Sequence, residues 1–406
     1  MDKIELIEET DLAVPKNQLG EELAAAFYGD PRFQLDSPPG KDNPYRLRSK
    51  GWVGQIPIGN MLVVVQPKVP IASIFGMLEV AYQLKSFKIF DGETAVQSLE
   101  EIYERIASIL AKRVSDRFRK GLYRSYVERD DDLEFVRGRI DIRGNMRNAV
   151  VGAPRLRCHF EELTADLEEN SILLWALYSA SRLGLQRDEV KRQVRRAFRS
   201  LIGNVSLEPK SARDCVGRFY HRLNDDYQPM HGLARFLIEH AGPTTHAGKH
   251  EFLPFAVKMP TLFEAFVAEW LKQNLPDELK VDPKYHARLD ANADLSFEID
   301  LVLHDRESGA AIAVLDTKYK LAGLPSAADL QQVVSYAVEL GVTRAWLVYP
   351  FGISRPIRVR VGNVDVETVG IDLDRPIEES GRDFIETICA QVMRSKPPPP
   401  SLSTAE

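Results

Sequence analysis

The stretch Glu298–Lys320, EIDLVLHDRESGAAIAVLDTKYK, decides how the second half of the chain is read. Two β-prone runs, roughly 297–304 and 310–319, flank the polar turn Asp305-Arg306-Glu307-Ser308-Gly309. Near the end of the second run stand Asp316 and Lys318. Side chains alternate across a strand, so these two share a face, about 7 Å apart. Asp300 lies on the other arm of the hairpin. An apolar hairpin that carries two carboxylates and a lysine has no easy packing explanation. An acid, a turn and then Asp-x-Lys point to a divalent-metal phosphodiesterase site. Glu298 shares a face with Asp300, and the hairpin register decides which of the two opposes Asp316.

Outward from the hairpin, a compact α/β unit emerges. Thr261 opens a helix with an apolar stripe at Leu262, Phe263, Phe266, Val267, Trp270 and Leu271. A strand follows at about 279–288, then the hairpin, then a helix from Ala327 to Leu340 striped by Leu330, Val333, Val334 and Ala337. Ala345–Tyr349 is a short buried strand, which makes 311–317, helix and 345–349 a parallel crossover unit. The order is α-β-β-β-α-β, with further strands expected at 356–361 and 366–372 and a helix at 381–393. Glu264 has two readings: Thr261-x-x-Glu264 is a capping box, in which the glutamate bonds back to the helix start, or Glu264 faces the metals. Gln332 and Tyr336, four apart, share a helix face opposite the stripe. That face is either plain solvent-exposed surface or the wall of a catalytic cleft.

The preceding 250 residues differ in character. Residues 51–70 read as a hairpin turning at Gly59-Asn60, with Pro67 and Pro70 ending it, and a helix follows from Ile71 to about Leu84. A helix is expected over 98–127, then the acidic cluster Glu128–Asp132, short strands near Phe135–Ile140 and Pro154–His159, and a helix from Asn170. A strongly basic helix covers 187–202 with Lys191, Arg192, Arg195, Arg196 and Arg199. Its plain reading is a solvated face rather than a nucleic-acid contact. The expected organisation is α/β (α+β multidomain): a β-rich domain at 1–97, a mainly helical region at 98–250, an α-β-β-β-α-β domain at 251–395, and a disordered Pro-rich tail at 396–406.

Composition narrows the function classes. The chain has 406 residues, is 44% hydrophobic and 28% charged, and carries a net charge of −6, so the whole chain is not a generic polyanion binder. Cys158, Cys215 and Cys389 show no disulfide or metal spacing, which fits a reducing, cytoplasmic setting. No apolar run approaches the ~18 residues a membrane helix needs. No Walker-type phosphate loop and no paired-histidine metal motif occurs.

Phosphodiester hydrolysis needs a positioned water and neutralisation of the charge that builds on the phosphate. Mg²⁺ takes oxygen ligands and keeps several waters, so one or two carboxylates per ion suffice. Asp300 and Asp316 are the candidate ligands, with the Thr317 carbonyl as a third oxygen and Glu264 as a further candidate. Lys318 would orient the attacking water and offset phosphate charge, and Gln332 would touch the phosphate or Lys318. The alternative is a cross-strand salt bridge of little energetic weight.

The set Glu264, Asp300, Asp316-Thr317-Lys318 and Gln332-x-x-x-Tyr336 resembles the PD-(D/E)xK nuclease superfamily, with Ile299-Asp300 where Pro-Asp is usual. The chain from about 50 to 350 resembles the McrC family, nuclease subunits of the McrBC modification-dependent restriction system. The resemblance is carried by Gly54-Gln55-Ile56, Val65-Gln66-Pro67-Lys68-Val69, Arg137-Gly138-Arg139-Ile140, Cys158–Asn170, Leu262-Phe263-Glu264, Asp316–Lys320 and Tyr349-Pro350. It implies a restriction-endonuclease-like core, Mg²⁺-dependent cleavage of modified, methylcytosine-containing double-stranded DNA, and a hexameric AAA+ GTPase partner, McrB. The partner selects and translocates the DNA, and the N-terminal part of the chain enters its assembly and stimulates GTP hydrolysis. The sequence leaves open whether two such complexes pair to cut both strands. The competing readings are a stand-alone repair nuclease and a non-catalytic assembly factor.

Overall fold

A computed structural model describes residues 2–40, 43–83, 99–152, 154–182, 184–240, 255–288, 296–320, 325–353 and 355–393. The tail expected from 396 and most of the boundary expected at 241–260 lie outside these residues. The chain begins with β1 (Asp2–Ile7), β2 (Leu12–Val14), α1 (Lys16–Gly29), β3 (Phe33–Asp36), β4 (Tyr45–Ser49), β5 (Trp52–Ile58), β6 (Met61–Gln66) and α2 (Ile71–Ala81). Next come α3 (Leu99–Lys120), β7 (Ser125–Leu133), β8 (Arg139–Ile140), α4 (Ile142–Val150), β9 (Leu156–Thr164), α5 (Glu168–Arg182), α6 (Asp188–Ile202) and α7 (Tyr227–His240). Last are β10 (Phe255–Lys258), α8 (Met259–Asn274), β11 (Leu279–Arg288), β12 (Ser296–Asp305), β13 (Ala311–Thr317), α9 (Ala327–Glu339), β14 (Arg344–Tyr349), β15 (Arg358–Val361), β16 (Val364–Gly370) and α10 (Ile377–Met393).

These elements fall into two compact units: Met1–Leu99 with Phe255–Glu406, and Glu100–Pro254. The expected seams near 97 and 250 are close to these, but the first and third pieces share one unit. The reason is strand pairing. β10 hydrogen-bonds antiparallel to β5 and completes a sheet ordered β1-β6-β5-β10, so the segment that leads into α8 is an edge of the N-terminal sheet. Gly54 makes this possible: at φ +113° it meets Ala256 so closely that a Cβ there would sit 2.2 Å from the Phe255 carbonyl oxygen.

The larger sheet of this unit is ordered β11-β12-β13-β14-β16-β15. β11, β12 and β13 form an antiparallel meander, and the crossover through α9 returns parallel, as the residue pattern predicts. Alternation on β14 separates two cores. Ala345, Leu347 and Tyr349 pack with Val333, Tyr336 and Ala337 of α9. The intervening Trp346 donates its indole N–H to Gln391 of α10 (2.7 Å).

In the other unit, α5 packs against α6 and α7 around Asn170, which is fully buried. Its side chain donates to the Tyr123 and Ala165 carbonyls and accepts from the Tyr227 hydroxyl, so its polar groups are satisfied. The helix expected to 127 stops at Lys120: Gly121, at φ +101°, ends it, and the acidic cluster joins β7. There Asp130 and Asp132 pair with His159 and Arg157 of β9. β8 and the short α4 complete a three-stranded arm whose Tyr126, Phe135, Ile142, Met146 and Val150 are exposed.

Gly54→Ala tests the joint between β5 and β10. Left-handed strain and the clash with Phe255 together predict a loss of at least about 2 kcal/mol. Thermal unfolding of the variant against the parent protein measures it.

Candidate active site

The sequence dictates a strand that turns polar at its end, and the fold places that end against α9. The register Leu301↔Leu315 and Val302↔Val314 continues to bring Asp300, not Glu298, beside Asp316. Glu298 is exposed, and its register neighbour on β11 is His286. The Asp300 carboxylate is held by Thr317, whose N–H and hydroxyl both donate to Oδ2 at 2.8 Å. Asp316 is 1% exposed. Lys318 Nζ lies 2.7 Å from its Oδ2, yet neither carboxylate oxygen has an aligned hydrogen-bond donor. Burial, and then the charge of Asp300, push the Asp316 carboxyl up to about 7, with Lys318 pulling the other way.

Lys318 is positioned from two sides. Its N–H donates to the Val348 carbonyl (2.8 Å), which extends the β13–β14 pairing, and its ammonium donates to Gln332 Oε1 (2.9 Å). Gln332 Nε2 in turn donates to the Tyr336 hydroxyl (2.8 Å). Gln332 is exposed, as a cleft wall would be, but Tyr336 does not lie opposite the apolar stripe. It is buried with Val333 and Ala337, its ring edge-on to Phe297 at 5.3 Å. The sequence pattern misplaced it because a tyrosine buries its ring while its hydroxyl reaches the rim.

Glu264 is not a helix cap. α8 begins at Met259 directly from β10, with the Met259 N–H bonded to the Gly51 carbonyl and Pro260 in the first turn, so Glu264 lies more than a turn inside. It is half-buried, and burial, then the Asp300 charge, raise its carboxyl above the ordinary value, partly offset by Lys284 at 3.8 Å. It therefore senses Asp300, but among the described residues no three acidic, histidine or cysteine side chains close into a metal-binding group.

What the site offers a cation is thus Asp300 and Asp316. A buried carboxylate with no aligned hydrogen-bond donor, a second acid beside it and, among the described residues, one lysine in contact has a deficit of positive charge that a divalent ion fits. The buried Tyr349 hydroxyl also lacks a partner, and burial, then Asp329 and Asp316, raise it to about 12.

Residues 47–350 match the family described as the McrBC 5-methylcytosine restriction system component. The chain belongs to that family. No protein with a curated description matches it. Among solved structures, it is similar to a chain of the refined half-complex from the tetradecameric assembly of Thermococcus gammatolerans McrB AAA+ hexamers with bound McrC. The TM-score is 0.54 at 17% identity, over 96% of this chain and 100% of that one. A chain of the cryo-EM structure of the Thermococcus gammatolerans McrBC complex matches with TM-score 0.40 and 18% identity, over 68% of this chain and 88% of that one. At 17% identity the first of these likenesses is one of fold.

In this McrBC family member two supports of the site escaped the sequence reading. Lys320 pairs with Asp329 (2.7 Å), which also caps α9 through Ser326. Burial opposes the Asp329 charge, but the Lys320 and Ser326 hydrogen bonds outweigh it and hold the carboxyl below its ordinary value. On the opposite side of β13, Tyr319 packs against Phe263 and donates its hydroxyl to Glu8 Oε2 (3.3 Å). Glu8 is fully buried, and its Oε1 has no partner. No local pattern marks it, because its burial follows from strand pairing of β1 with β6 rather than from its neighbours in sequence.

Burial, chiefly, raises the Glu8 carboxyl from 4.5 to about 7. The folded chain therefore holds this proton where the unfolded chain has lost it. The contribution to stability is full below the unfolded value and declines as pH rises through the window up to about 7, by up to ~3 kcal/mol. Glu8→Gln cannot ionise and is expected to lose that decline. Calorimetric unfolding should coincide for the two proteins in acid and show the variant melting higher above neutrality; parallel curves throughout would refute it.

Proposed function

We propose that this chain is the Mg²⁺-dependent DNA endonuclease subunit of a McrBC-like restriction complex, cleaving modified, methylcytosine-containing double-stranded DNA. The observation that carries the reading is Asp316: a buried, unsatisfied carboxylate at the end of a central strand, beside Asp300 and Lys318, in a member of a 5-methylcytosine restriction family. Structural use alone does not account for it, since a buried carboxylate without donors costs stability.

Asp300 and Asp316 would hold the metal, with the Thr317 carbonyl as a further oxygen and Glu264 acting from α8. Mg²⁺ would supply charge neutralisation at the phosphate and acidify an attacking water. Lys318 has three ammonium protons; Gln332 accepts one of them and Asp316 is in ion-pair contact with the same ammonium, which leaves a proton for a phosphate oxygen or the attacking water. Tyr336 fixes Gln332 and so fixes where that proton points.

A McrB-like hexameric AAA+ GTPase is the proposed partner, because the similar Thermococcus gammatolerans assembly contains McrB AAA+ hexamers with bound McrC. The chain would stimulate its GTP hydrolysis, and two complexes would pair to cut both strands. The exposed apolar side chains of the β7–β9 arm and α4, with Val150 at 88% exposure, form the kind of surface a protein partner covers.

Asp316→Asn in the reconstituted complex tests the site. Cleavage of methylated DNA is expected to fall about 100-fold or more, the equivalent of ~3 kcal/mol of transition-state stabilisation, and chelation of Mg²⁺ to abolish it. Assembly and partner GTP hydrolysis are expected to be unchanged. Cleavage that survives the substitution, or a complex that falls apart with it, would make Asp316 a structural residue.

A further inference from the structure

α6 carries Arg192, Arg195, Arg196 and Arg199, all exposed. Their spacing is i, i+3, i+4 and i+7, so they form one stripe over about 10 Å of helix. The helix buries Val190, Val194, Ala197 and Leu201, which places the stripe on the side that points away from the body of its own unit. Among the described residues none of the four guanidinium groups has an ion-pair or hydrogen-bond partner. The acids of the same helix are committed elsewhere: Asp188 to Lys191 (3.2 Å) and Glu189 to Gln193 (2.9 Å). Gln193 also accepts from Ser108 of α3 (2.6 Å), and one turn beyond Ser108 the exposed Lys112 adds a fifth cation without a described partner.

This arrangement is unfavourable for the isolated protein. Like charges three and four apart on a helix repel by roughly 0.2–0.5 kcal/mol per pair. Among the described residues no acid pairs with the four arginines, although the chain as a whole is negative by six charges. A surface of this kind gains by meeting a dense, regular array of anions. Duplex DNA carries one charge per roughly 1.7 Å of its axis, so a stripe of this length faces several phosphates. Arginine suits the task because its guanidinium pairs bidentately with phosphate oxygens.

We propose that the α6 stripe, with Lys112, binds the sugar-phosphate backbone of duplex DNA without reading its sequence. It would give this negatively charged chain its own hold on DNA, in addition to any held by a partner. The proposal takes from the nuclease reading only the choice of duplex DNA as the polyanion, and it does not require cleavage.

The test measures binding of the full chain to a short unmodified fluorescent duplex by anisotropy, in EDTA, over a range of salt concentrations. The variant combines Arg192→Gln, Arg195→Gln, Arg196→Gln and Arg199→Gln. At about 0.9 per phosphate contact, the slope of log affinity against log salt is expected to drop by up to about 3.6, with binding at low salt at least about tenfold weaker. Thermal unfolding is expected to be unchanged or higher, since repulsion is relieved, so lost binding is not lost folding. Replacing the same four arginines by lysine should keep most of the affinity. Because the measurement is made in EDTA on binding alone, its outcome is independent of cleavage, which separates failure of the catalytic reading from failure of this one. An unchanged salt slope in the glutamine variant, or no binding by the parent chain, would overturn the proposal. Unchanged DNA binding with lost assembly onto an AAA+ hexamer would overturn it in favour of a protein-docking face.

Discussion

A carboxylate at the end of a central strand, with 1% of its surface exposed and no aligned donor on either oxygen, is the constraint on which the larger sheet depends. Ionised, Asp316 is costly unless positive charge is brought to it. The protein brings a single lysine, two residues along, and holds it by the Val348 carbonyl below and Gln332 beside it. Gln332 needs Tyr336, and Tyr336 needs the apolar packing of α9 on β13, β14 and β16. Core and site are thus one construction. The apolar face of α9 fixes a tyrosine whose hydroxyl fixes a glutamine that aims a lysine.

The other side of the same strand ties the two sheets together. Alternation sends Tyr319 away from Lys318, toward Phe263 of α8 and the buried Glu8 that follows β1. β10 pairs with β5 and passes straight into α8, the helix of Glu264. The N-terminal sheet therefore braces both the strand of Asp316 and the helix of Glu264. A movement of that sheet has a short physical route to the acids, through hydrogen bonds and ring contacts rather than through long loops.

Charge is distributed unevenly over the chain. Net negative charge sits with many paired acids, such as those of β7 that face Arg157 and His159. Among the described residues, the arginines of α6 stand without such partners. Average charge therefore describes this chain poorly, and the local pattern of pairing is what distinguishes a solvated face from one that gains by meeting phosphate.

Period-two alternation and turn chemistry made much of this legible in the sequence. Asp316 and Lys318 share a face because strands have no other periodicity, and Gly59-Asn60 turns the N-terminal hairpin because both residues tolerate left-handed backbone. The β–α–β crossover followed from a polar-to-apolar rhythm that changes from two to three and a half residues. The family follows from sequence as well, through residues 47–350. Tertiary structure alone decided the rest. The choice of Asp300 over Glu298 is a matter of hairpin register, and the end of α3 is set by the left-handed Gly121. The place of Glu264 depends on where α8 starts, which β10 fixes by pairing with a strand distant in sequence. The burial of Glu8 and Tyr319 against each other has the same origin. Local residue pattern determines which way side chains point along one element; which groups they meet is determined by contacts between elements far apart in the chain.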